Sequence, residues 1–358
     1  EFTSGHATKP LAHYGKWYHE HGGKDEWAIA KPVEGFDACP VTTMPESLHD
    51  SMFVGERAAA YITEHANDEQ PFFLTASFPD PHHPFNPPLE TALRYKDAPV
   101  KMPVNEDDDL HTRPRHYHYH QYGVWHRAGL LHPLPDMPEE DKEKCEKCAD
   151  QIAQFMDEKI LQGLGLLTHG DSSGEEYKPS VLSAHERDQR IRNTYAMVDL
   201  IDKGVGKILD ALKETGALED TVIIFTADHG ELMGDHGLWL KGPFFYDGLV
   251  NVPLMMHTPE NNASVTEALA SSVDIYPTCC ELLGVPMPRS CDGMSQAPAL
   301  RGEKVRKECL FEYRNGYFEN DVYNLGYVDE KYKFIQYQNG DVEMTDRIND
   351  PEENVNIV

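Results

Sequence analysis

Residues 226–242 read TADHGELMGDHGLWLKG, and this stretch decides the fold that the sequence predicts. It follows an apolar run at 222–225 that predicts a buried strand. Asp228 and His229 stand at the end of that strand, and ligands of open α/β sheets bind at the carboxyl ends of strands. Carboxylate and imidazole groups on such a rigid scaffold suit a divalent cation. The alternative role of Asp228 is a helix N-cap, where aspartate is favoured.

Lys241 lies in the apolar run that continues this stretch, LWLKGPFFY. A lysine in such surroundings either extends its ammonium group to solvent or reaches an anion. Beside a metal ion, an ammonium group would neutralise the oxygens of a sulfate or phosphate ester and the charge on a departing alkoxide. The stretch therefore predicts a metal site with a lysine beside it.

The charge of the chain excludes two classes of partner. Its 358 residues include 61 acidic and 32 basic side chains, which give a net charge of −29. Such a surface repels nucleic acid and anionic membrane, so we expect neither as a partner. It also repels an anionic substrate unless the binding site carries its own positive charge. We find no transmembrane run and no signal peptide in the sequence. Assembly into a homo-oligomer is possible.

The order of helices and strands predicts an α/β fold with a mostly parallel sheet flanked by helices. Ser183 and Glu186 form a capping box that begins a long helix, and Gly216 ends that helix. Residues 1–45 show no obvious nucleating helix or strand. Hydrophobic patterns predict further helices at about 48–66, 137–163 and 273–283, and strands at 71–78, 222–227 and 253–257.

The pattern changes from about residue 307 to short alternating segments, which predict a small antiparallel sheet. Its strands are expected at 307–313, 321–328, 332–337 and 342–345. We therefore predict an α/β domain at 1–305 and a C-terminal antiparallel subdomain at 306–358.

His82 lies in the proline-rich loop PDPHHPFNPP that follows the strand predicted at 71–78. A loop at the end of a buried strand often carries function, and a histidine there could protonate a leaving group. A surface histidine among prolines is the alternative.

A long insertion at 100–135 is rich in His, Tyr and Arg. Arg113, Arg115 and Arg127 make it locally basic, which suits a lid over an anionic substrate. In a strand, the alternating histidines of 116–120 would share one face, but a zinc site there has no acidic or cysteine partner. A variable surface insertion is the plainer alternative.

Several segments resemble, in the same order, those of the sulfatase family. The closest likeness is to the arylsulfatase and iduronate-sulfatase-like branch of the alkaline-phosphatase superfamily. The matching segments are 72–85 with its PHxPF pattern, 193–202, 226–241, 245–254, 273–278 and the DPEEN turn at 350–354. The resemblance spans about residues 55–355 and implies an alkaline-phosphatase-like fold.

The resemblance also implies roles for single residues. Asp228 and His229 would bind a calcium ion, with Mg²⁺ or Mn²⁺ as alternatives. Lys241 would contact the sulfate and the leaving oxygen, and His82 would bind substrate or act as the general acid. His236 would be a further substrate contact. The implied substrate is a sulfate ester of a saccharide or small molecule, and the implied location is periplasmic or secreted.

The family's nucleophile is a formylglycine, made from Cys or Ser in C/S-x-P-S-R or from Cys in C-x-A-x-R. None of the seven cysteines lies in such a motif, since the residues after Cys39 and Cys291 depart from it. We therefore expect the formylglycine, and the N-terminal Asp-Asp metal pair, upstream of residue 1. On this basis the isolated chain is expected to be inactive.

Two other functions stay open. A phosphodiester or phosphonate monoester hydrolase of the same superfamily would use the same Asp–His metal ligands with a different nucleophile. A truncated sulfatase-like protein without activity, serving as a binding module, is the non-enzymatic alternative.

Overall fold

The computed structural model describes residues 12–106, 113–114, 117, 182–260, 263–287, 291–315, 322–338 and 340–358. The chain divides into two compact units. The first comprises residues 1–103 and 121–219, and the second comprises residues 104–120 and 220–358. Among the described helices, none combines the length and the apolar character that crossing a bilayer requires. The helix predicted at 137–163 lies outside the described residues.

The first unit is mainly helical. Its elements are α1 (Ala12–Glu20), α2 (Asp25–Ala28), β1 (Lys31–Val33), β2 (Phe36–Val41), α3 (Asp50–His65), α4 (Leu89–Tyr95) and α5 (Ala184–Thr215). A short 3₁₀ turn, Glu46–Leu48, precedes α3. The strands β1 and β2 pair antiparallel, and α5 packs against α3, α4 and β2.

The long helix α5 begins and ends where the sequence predicts. The Ser183 side chain accepts a hydrogen bond from the backbone N–H of Glu186 (3.2 Å), and the Glu186 carboxylate accepts one from the N–H of Ser183 (2.8 Å). At the other end Gly216 adopts a φ of 75°, which a residue with a Cβ enters only with strain. Because these signals are local, they can be read without tertiary information.

α3 and α5 approach closely at a pair of glycines. A Cβ atom on Gly55 would lie 2.7 Å from the Cα atom of Gly204. A Cβ atom on Gly204 would lie 2.8 Å from the carbonyl oxygen of Ser51 and 2.5 Å from the Phe78 ring. The absence of side chains at both positions therefore allows the two backbones to touch.

Residues 1–45 contain regular structure that the sequence analysis missed. Tyr14, Trp17 and Tyr18 recur at helical spacing along α1 and are buried. They form a core cluster with Leu48 and Phe53, which lie before and within α3. The tertiary contact with α3 stabilises a nine-residue helix that would be marginal alone, so the expectation of no helix or strand was wrong.

The strand predicted at 71–78 is wrong as well. The segment has no strand assignment, although its side chains alternate between exposed and half-buried, as in an extended chain. Phe73 is 80% exposed. A strand requires a hydrogen-bonded neighbour, and this segment has no ladder partner among the described residues.

The second unit contains most of the strands. Its elements are β3 (Ile223–Thr226), α6 (Asp247–Val250), β4 (Leu254–His257), α7 (Ile275–Leu282), β5 (Glu308–Asn315), β6 (Val322–Asp329), β7 (Tyr332–Gln336) and β8 (Val342–Asp346). Short 3₁₀ turns occur at Asp235–Gly237, Ser272–Asp274 and Ala297–Arg301. The strand and helix positions predicted from residue 222 onward are confirmed to within a few residues.

The four C-terminal strands form one antiparallel sheet in the order β5-β6-β7-β8. This confirms the predicted antiparallel sheet, whose strands all lie within 306–358. Ile335 and Tyr337 of this region share a buried cluster with Phe244 and Phe245. The sheet therefore packs against the segment that follows Lys241.

β3 and β4 pair antiparallel, with Thr226 opposite Leu254. The helix–strand order predicted parallel neighbours, and this pairing differs from that expectation. Parallel neighbours need a crossover connection, usually a helix that carries the chain back along the sheet. Between β3 and β4 lie the 227–246 segment and the four-residue α6, which instead return the chain in the opposite direction.

Candidate active site

Asp228 and His229 follow the end of β3 directly. The Asp228 side chain is 87% exposed, and its Oδ2 atom lies 3.7 Å from His229 Nε2. His229 Nδ1 lies 2.7 Å from the carbonyl oxygen of Gly230. Since a carbonyl only accepts, Nδ1 carries the ring proton of the neutral imidazole and Nε2 presents a lone pair. This is the arrangement typical of a metal-binding histidine, so the pair fits a divalent cation.

Gly230 completes the Asp-His-Gly sequence for a steric reason. Its N–H donates to the carbonyl of Leu249 (2.7 Å), and a Cβ atom on it would lie 2.1 Å from the carbonyl oxygen of Gly248. The backbone after the two candidate ligands is therefore pressed against α6. Only glycine allows this contact, which fixes the direction in which the chain leaves the candidate metal site.

Lys241 is brought to the same region as the candidate ligands. Burial lowers the pKa of its ammonium group, and the negative charges of Asp228 and Glu231 offset only part of this decrease. The half-buried ammonium group therefore interacts electrostatically with Asp228 and Glu231 of the Asp-His-Gly-Glu stretch. The role of Lys241 as a cation beside a bound metal stays a prediction.

Glu231 was missed by the sequence analysis. Burial raises the pKa of its carboxyl group to about 7, against the lowering effect of backbone N–H groups and of Lys241. Its position directly after Asp-His-Gly, in a stretch that becomes apolar, is the signal that could have identified it. The carboxyl group gives Lys241 a second acidic neighbour.

His236 lies in the same stretch with its side chain directed into the unit. The ring is buried and stacks on Tyr246, with the ring centroids 4.0 Å apart and the planes at 12°. Its backbone has a φ of 54°, and its N–H donates to the carbonyl of Val104 (2.7 Å). Its role as a substrate contact stays a prediction, and in this structure its ring contacts Tyr246.

The prediction that the basic residues of the 100–135 insertion face an anionic substrate is wrong for Arg113. The Arg113 side chain is buried, 3.6 Å from a Glu343 carboxylate oxygen, and donates to the carbonyl of Asn354 (3.3 Å). Tyr117 is also buried and donates to Glu343 (2.9 Å). Arg113 therefore pairs with an internal carboxylate rather than facing an anionic substrate, because a buried charge needs a fixed partner. Arg115, Arg127 and the alternating histidines lie outside the described residues.

The C-terminal DPEEN turn is hydrogen-bonded to the segment that follows Lys241. Glu353 accepts hydrogen bonds from the backbone N–H of Asp247 (2.6 Å) and from the ammonium group of Lys333 (2.6 Å). Lys333, which is 1% exposed, also donates to the carbonyl of Phe245 (2.9 Å) and pairs with Asp247. This network connects the C-terminal sheet to the chain that carries the candidate site.

His82 belongs to the first unit. Its side chain is half-buried, and its Nδ1 atom lies 2.6 Å from the carbonyl oxygen of His83. A proton exchanged with a substrate would therefore be carried on Nε2. The peptide bonds before Pro81 and Pro84 are both cis.

The first unit also contains a cluster that the sequence analysis did not predict. One donor atom each of His49, Asp50 and Asp80 lie within 4.8 Å of one another. His49 Nδ1 is 3.0 Å from Asp50 Oδ1 and 3.4 Å from Asp80 Oδ2. Asp50 directly follows His49, but Asp80 lies beyond α3 and the segment after it, so no short motif marks all three residues.

Comparison with known proteins identifies the family. A family model of sulfatases matches residues 14–285, and a model of the C-terminal part of N-sulphoglucosamine sulphohydrolase matches residues 234–358. An N-acetylglucosamine-6-O-sulfatase of Bacteroides thetaiotaomicron is 24% identical, over 96% of this chain and 65% of its own. The chain spans about half to two-thirds of the length of the curated relatives that it matches.

Two solved structures show the fold. One is the structure of a protein in complex with its substrate, D-glucosamine-2-N,6-O-disulfate. It has a TM-score of 0.62 and 24% sequence identity, and the match covers 86% of this chain and 65% of that one. The other is a phosphonate monoester hydrolase of Agrobacterium radiobacter, with a TM-score of 0.64 and 22% identity over 96% of this chain and 63% of that one. These likenesses confirm the predicted alkaline-phosphatase-like fold. Because the sulfatase model matches well over half of its residues, the chain belongs to the sulfatase family.

Proposed function

We propose that the protein hydrolyses a sulfate ester with a divalent cation, Ca²⁺, held by Asp228 and His229. The observation that carries the proposal is the half-buried ammonium group of Lys241, which interacts with Asp228 and Glu231 in the same unit. A cation beside metal ligands suits a dianionic or monoanionic ester, and this chain is otherwise strongly acidic. Membership of the sulfatase family supports sulfate as the ester group.

The chain's own residues would divide the chemistry between them. Asp228 and His229 would hold the cation, whose charge polarises the sulfate oxygens when it is bound. Lys241 would neutralise charge on the sulfate and on the departing oxygen, where its low-dielectric surroundings strengthen the interaction. His82 would donate a proton from Nε2 to that oxygen. His236 is proposed as a further substrate contact, which would require its ring to leave Tyr246.

We propose further that the nucleophile is a formylglycine outside these 358 residues. The support is the sequence, in which no cysteine stands in a motif of the required kind. Removal of the nucleophile lowers kcat on the order of 10⁶-fold in a serine protease, so the 358-residue chain alone is expected to show background turnover.

We propose a sulfated saccharide as the substrate class. The names of two similar proteins support this, since one is an N-acetylglucosamine-6-O-sulfatase and another binds a sulfated glucosamine as its substrate.

The test compares hydrolysis of an aryl sulfate and of glucosamine 6-sulfate, with Ca²⁺, by the 358-residue chain and by the protein completed with its formylglycine. We expect turnover only from the completed protein, and loss of that turnover on removal of Ca²⁺ with a chelator. Turnover well above background from the chain alone would contradict the proposed nucleophile. A completed protein that hydrolyses neither sulfate would contradict the function.

A phosphonate monoester hydrolase is the second candidate, favoured by the structural likeness to the Agrobacterium radiobacter enzyme. Aryl phosphonate and aryl sulfate assayed side by side distinguish the two. A kcat/KM that is higher for the phosphonate would favour this candidate over the sulfatase.

A further inference from the structure

The loop that carries His82 begins at a buried carboxylate. Asp80 lies two residues before His82, and its side chain is 7% exposed. Its Oδ2 atom accepts a hydrogen bond from the Ser51 hydroxyl (2.6 Å) and lies 3.4 Å from His49 Nδ1. A buried carboxylate is costly unless it is paired and hydrogen-bonded, so these contacts hold the start of the loop to one place on α3.

That place is the N-terminus of α3. His49 is the N-cap residue, and Ser51 lies in the first turn. The N-terminus of a 16-residue helix carries partial positive charge from its unpaired N–H groups, which favours a carboxylate beside it. The helix end therefore adds to the attraction that His49 and Ser51 exert on Asp80.

The His49 imidazole lies between the carboxyl groups of Asp50 and Asp80. Burial lowers the pKa of its imidazole, but the charges of Asp80, Asp50 and Glu46 outweigh that effect and raise it to about 9. The hydroxyl of Tyr14, which packs here from α1, donates to the carbonyl of Leu48 (2.8 Å) and adds no charge. These charges favour a protonated ring, which would pair with Asp80 and compete with a metal ion for the same three residues.

The far end of the loop is anchored independently. The Asn193 side chain of α5 donates to the carbonyl of Phe85 (2.7 Å), and the N–H of Thr42 donates to the carbonyl of Pro87 (3.1 Å). The prolines between the two anchors restrict the backbone, so the position of His82 depends on where each end is held. Of the two anchors, Asp80 is the one closer in sequence to His82.

We propose that Asp80, held by His49 and Ser51, is a positioning residue that sets the place and orientation of the His82 imidazole. The importance of this for catalysis rests on the proposed role of His82 as the proton donor to the ester. The positioning itself is a property of the first unit and is measurable without turnover.

The test follows the His82 ring by NMR in the full chain with labelled histidine, its signal identified by its loss in His82→Gln. We compare Asp80→Asn, His49→Gln and Ser51→Ala with the matched control Asp68→Asn, which breaks an exposed histidine–aspartate pair with His65 (2.8 Å). We expect the first three variants to shift or broaden the His82 signal and the control to leave it unchanged. Ser51→Ala retains both charged groups, so it keeps the test informative if the other two fail to fold.

Activity provides the second measurement, in the protein completed with its nucleophile. Asp80→Asn is expected to lower kcat for an aryl sulfate about 10- to 100-fold with a smaller change in KM, because a displaced proton donor slows the chemical step. If no variant moves the His82 signal beyond the control, the positioning proposal is overturned even if the protein is a sulfatase. If the protein hydrolyses no sulfate ester but the signal moves, the proposed function fails and the positioning stands. Stoichiometric binding of Zn²⁺ that is lost in His49→Gln would overturn the ion pair in favour of a metal site.

Discussion

The charge state of Lys241 depends on two carboxylates and on burial, which act in opposite directions. Burial lowers the pKa of the ammonium group, whereas Asp228 and Glu231 raise it. Asp228→Asn removes one of the two raising charges, so we predict that the pKa of Lys241 falls further in this variant. The measurement is the pH dependence of the reaction of Lys241 with an amine-selective reagent, followed by mass spectrometry.

The control for this prediction is Asp292→Asn. Asp292 is an exposed carboxylate of the same unit, and it is not among the groups that shift the pKa of Lys241. We expect the reactivity midpoint of Lys241 to be unchanged in this control and to move to lower pH in Glu231→Gln. A midpoint that rises or stays constant in Asp228→Asn would show that the two side chains do not interact.

At the scale of elements, the contact between α3 and α5 is set by two glycines. A Cβ atom on Gly204 would meet the Ser51 carbonyl oxygen at 2.8 Å, and backbone cannot move away as a flexible side chain would. We predict that Gly204→Ala lowers the free energy of unfolding by about 1–3 kcal/mol through this overlap. The measurement is urea unfolding of the variant and of the unsubstituted protein, with the free energies compared if the two m-values agree.

Gly206 provides the matched control on the same helix. A Cβ atom there meets no atom within 4 Å, so Gly206→Ala gains helix propensity without a clash. We expect it to raise the free energy of unfolding by about 0.5–1 kcal/mol. Equal effects of the two substitutions would mean that the helices do not touch at Gly204.

A second link between elements of the first unit is an ionic cluster at Glu46. Burial raises the pKa of this carboxyl group, but Lys203 (2.5 Å), Arg94 (2.5 Å) and Thr91 (2.8 Å) outweigh it and hold the pKa at about 2. A folded-state pKa below the ordinary value means that the ionised group stabilises the fold above about pH 4.5. That stabilisation is lost as the pH falls toward 2.

We therefore predict that Glu46→Gln lowers the free energy of unfolding by about 1–2 kcal/mol at pH 7 and by much less near pH 2. The size is discounted because Arg94 and Lys203 are partly exposed. Unfolding curves at several pH values measure it. The control is Glu303→Gln, an exposed carboxylate paired with Arg301 at 3.4 Å, which should change little at any pH. A pH-independent loss in Glu46→Gln would contradict the ionic origin.

Over the whole molecule, the sequence predicts those elements whose signals are local. The caps of α5 at Ser183 and Gly216 act through their immediate neighbours, and the alternating strands of the C-terminal sheet bury one face each. The strand before Asp228 is predicted because an apolar run ends abruptly in polar residues. The family resemblance adds the fold class, which the order of helices and strands alone suggests but does not distinguish from other α/β folds.

What the sequence does not predict depends on tertiary contacts. Helix α1 is stabilised by aromatic residues that pack on α3, and residues 71–78 have, within the described part of the chain, no paired neighbour that would make them a strand. The same holds for the candidate site. His49 and Asp80 come together only through the fold, and the burial that raises the pKa of Glu231 is likewise a property of the folded chain. The sequence predicts a basic lid around Arg113 because its buried partner, Glu343, lies 230 residues away.

The net charge of −29 predicts how the whole molecule responds to salt. Like charges on a compact surface repel, and the repulsion is screened beyond about 10 Å at 0.1 M ionic strength. We predict that Tm at pH 8 rises when NaCl is increased from about 0.01 to 0.2 M, measured by thermal unfolding. At about pH 5 the increase should be smaller, because the 19 histidines and part of the carboxylates take up protons and reduce the charge. Choline chloride at equal ionic strength should raise Tm by the same amount as NaCl. A Tm that falls with salt at pH 8 would mean that favourable ion pairs such as the Glu46 cluster outweigh the net repulsion.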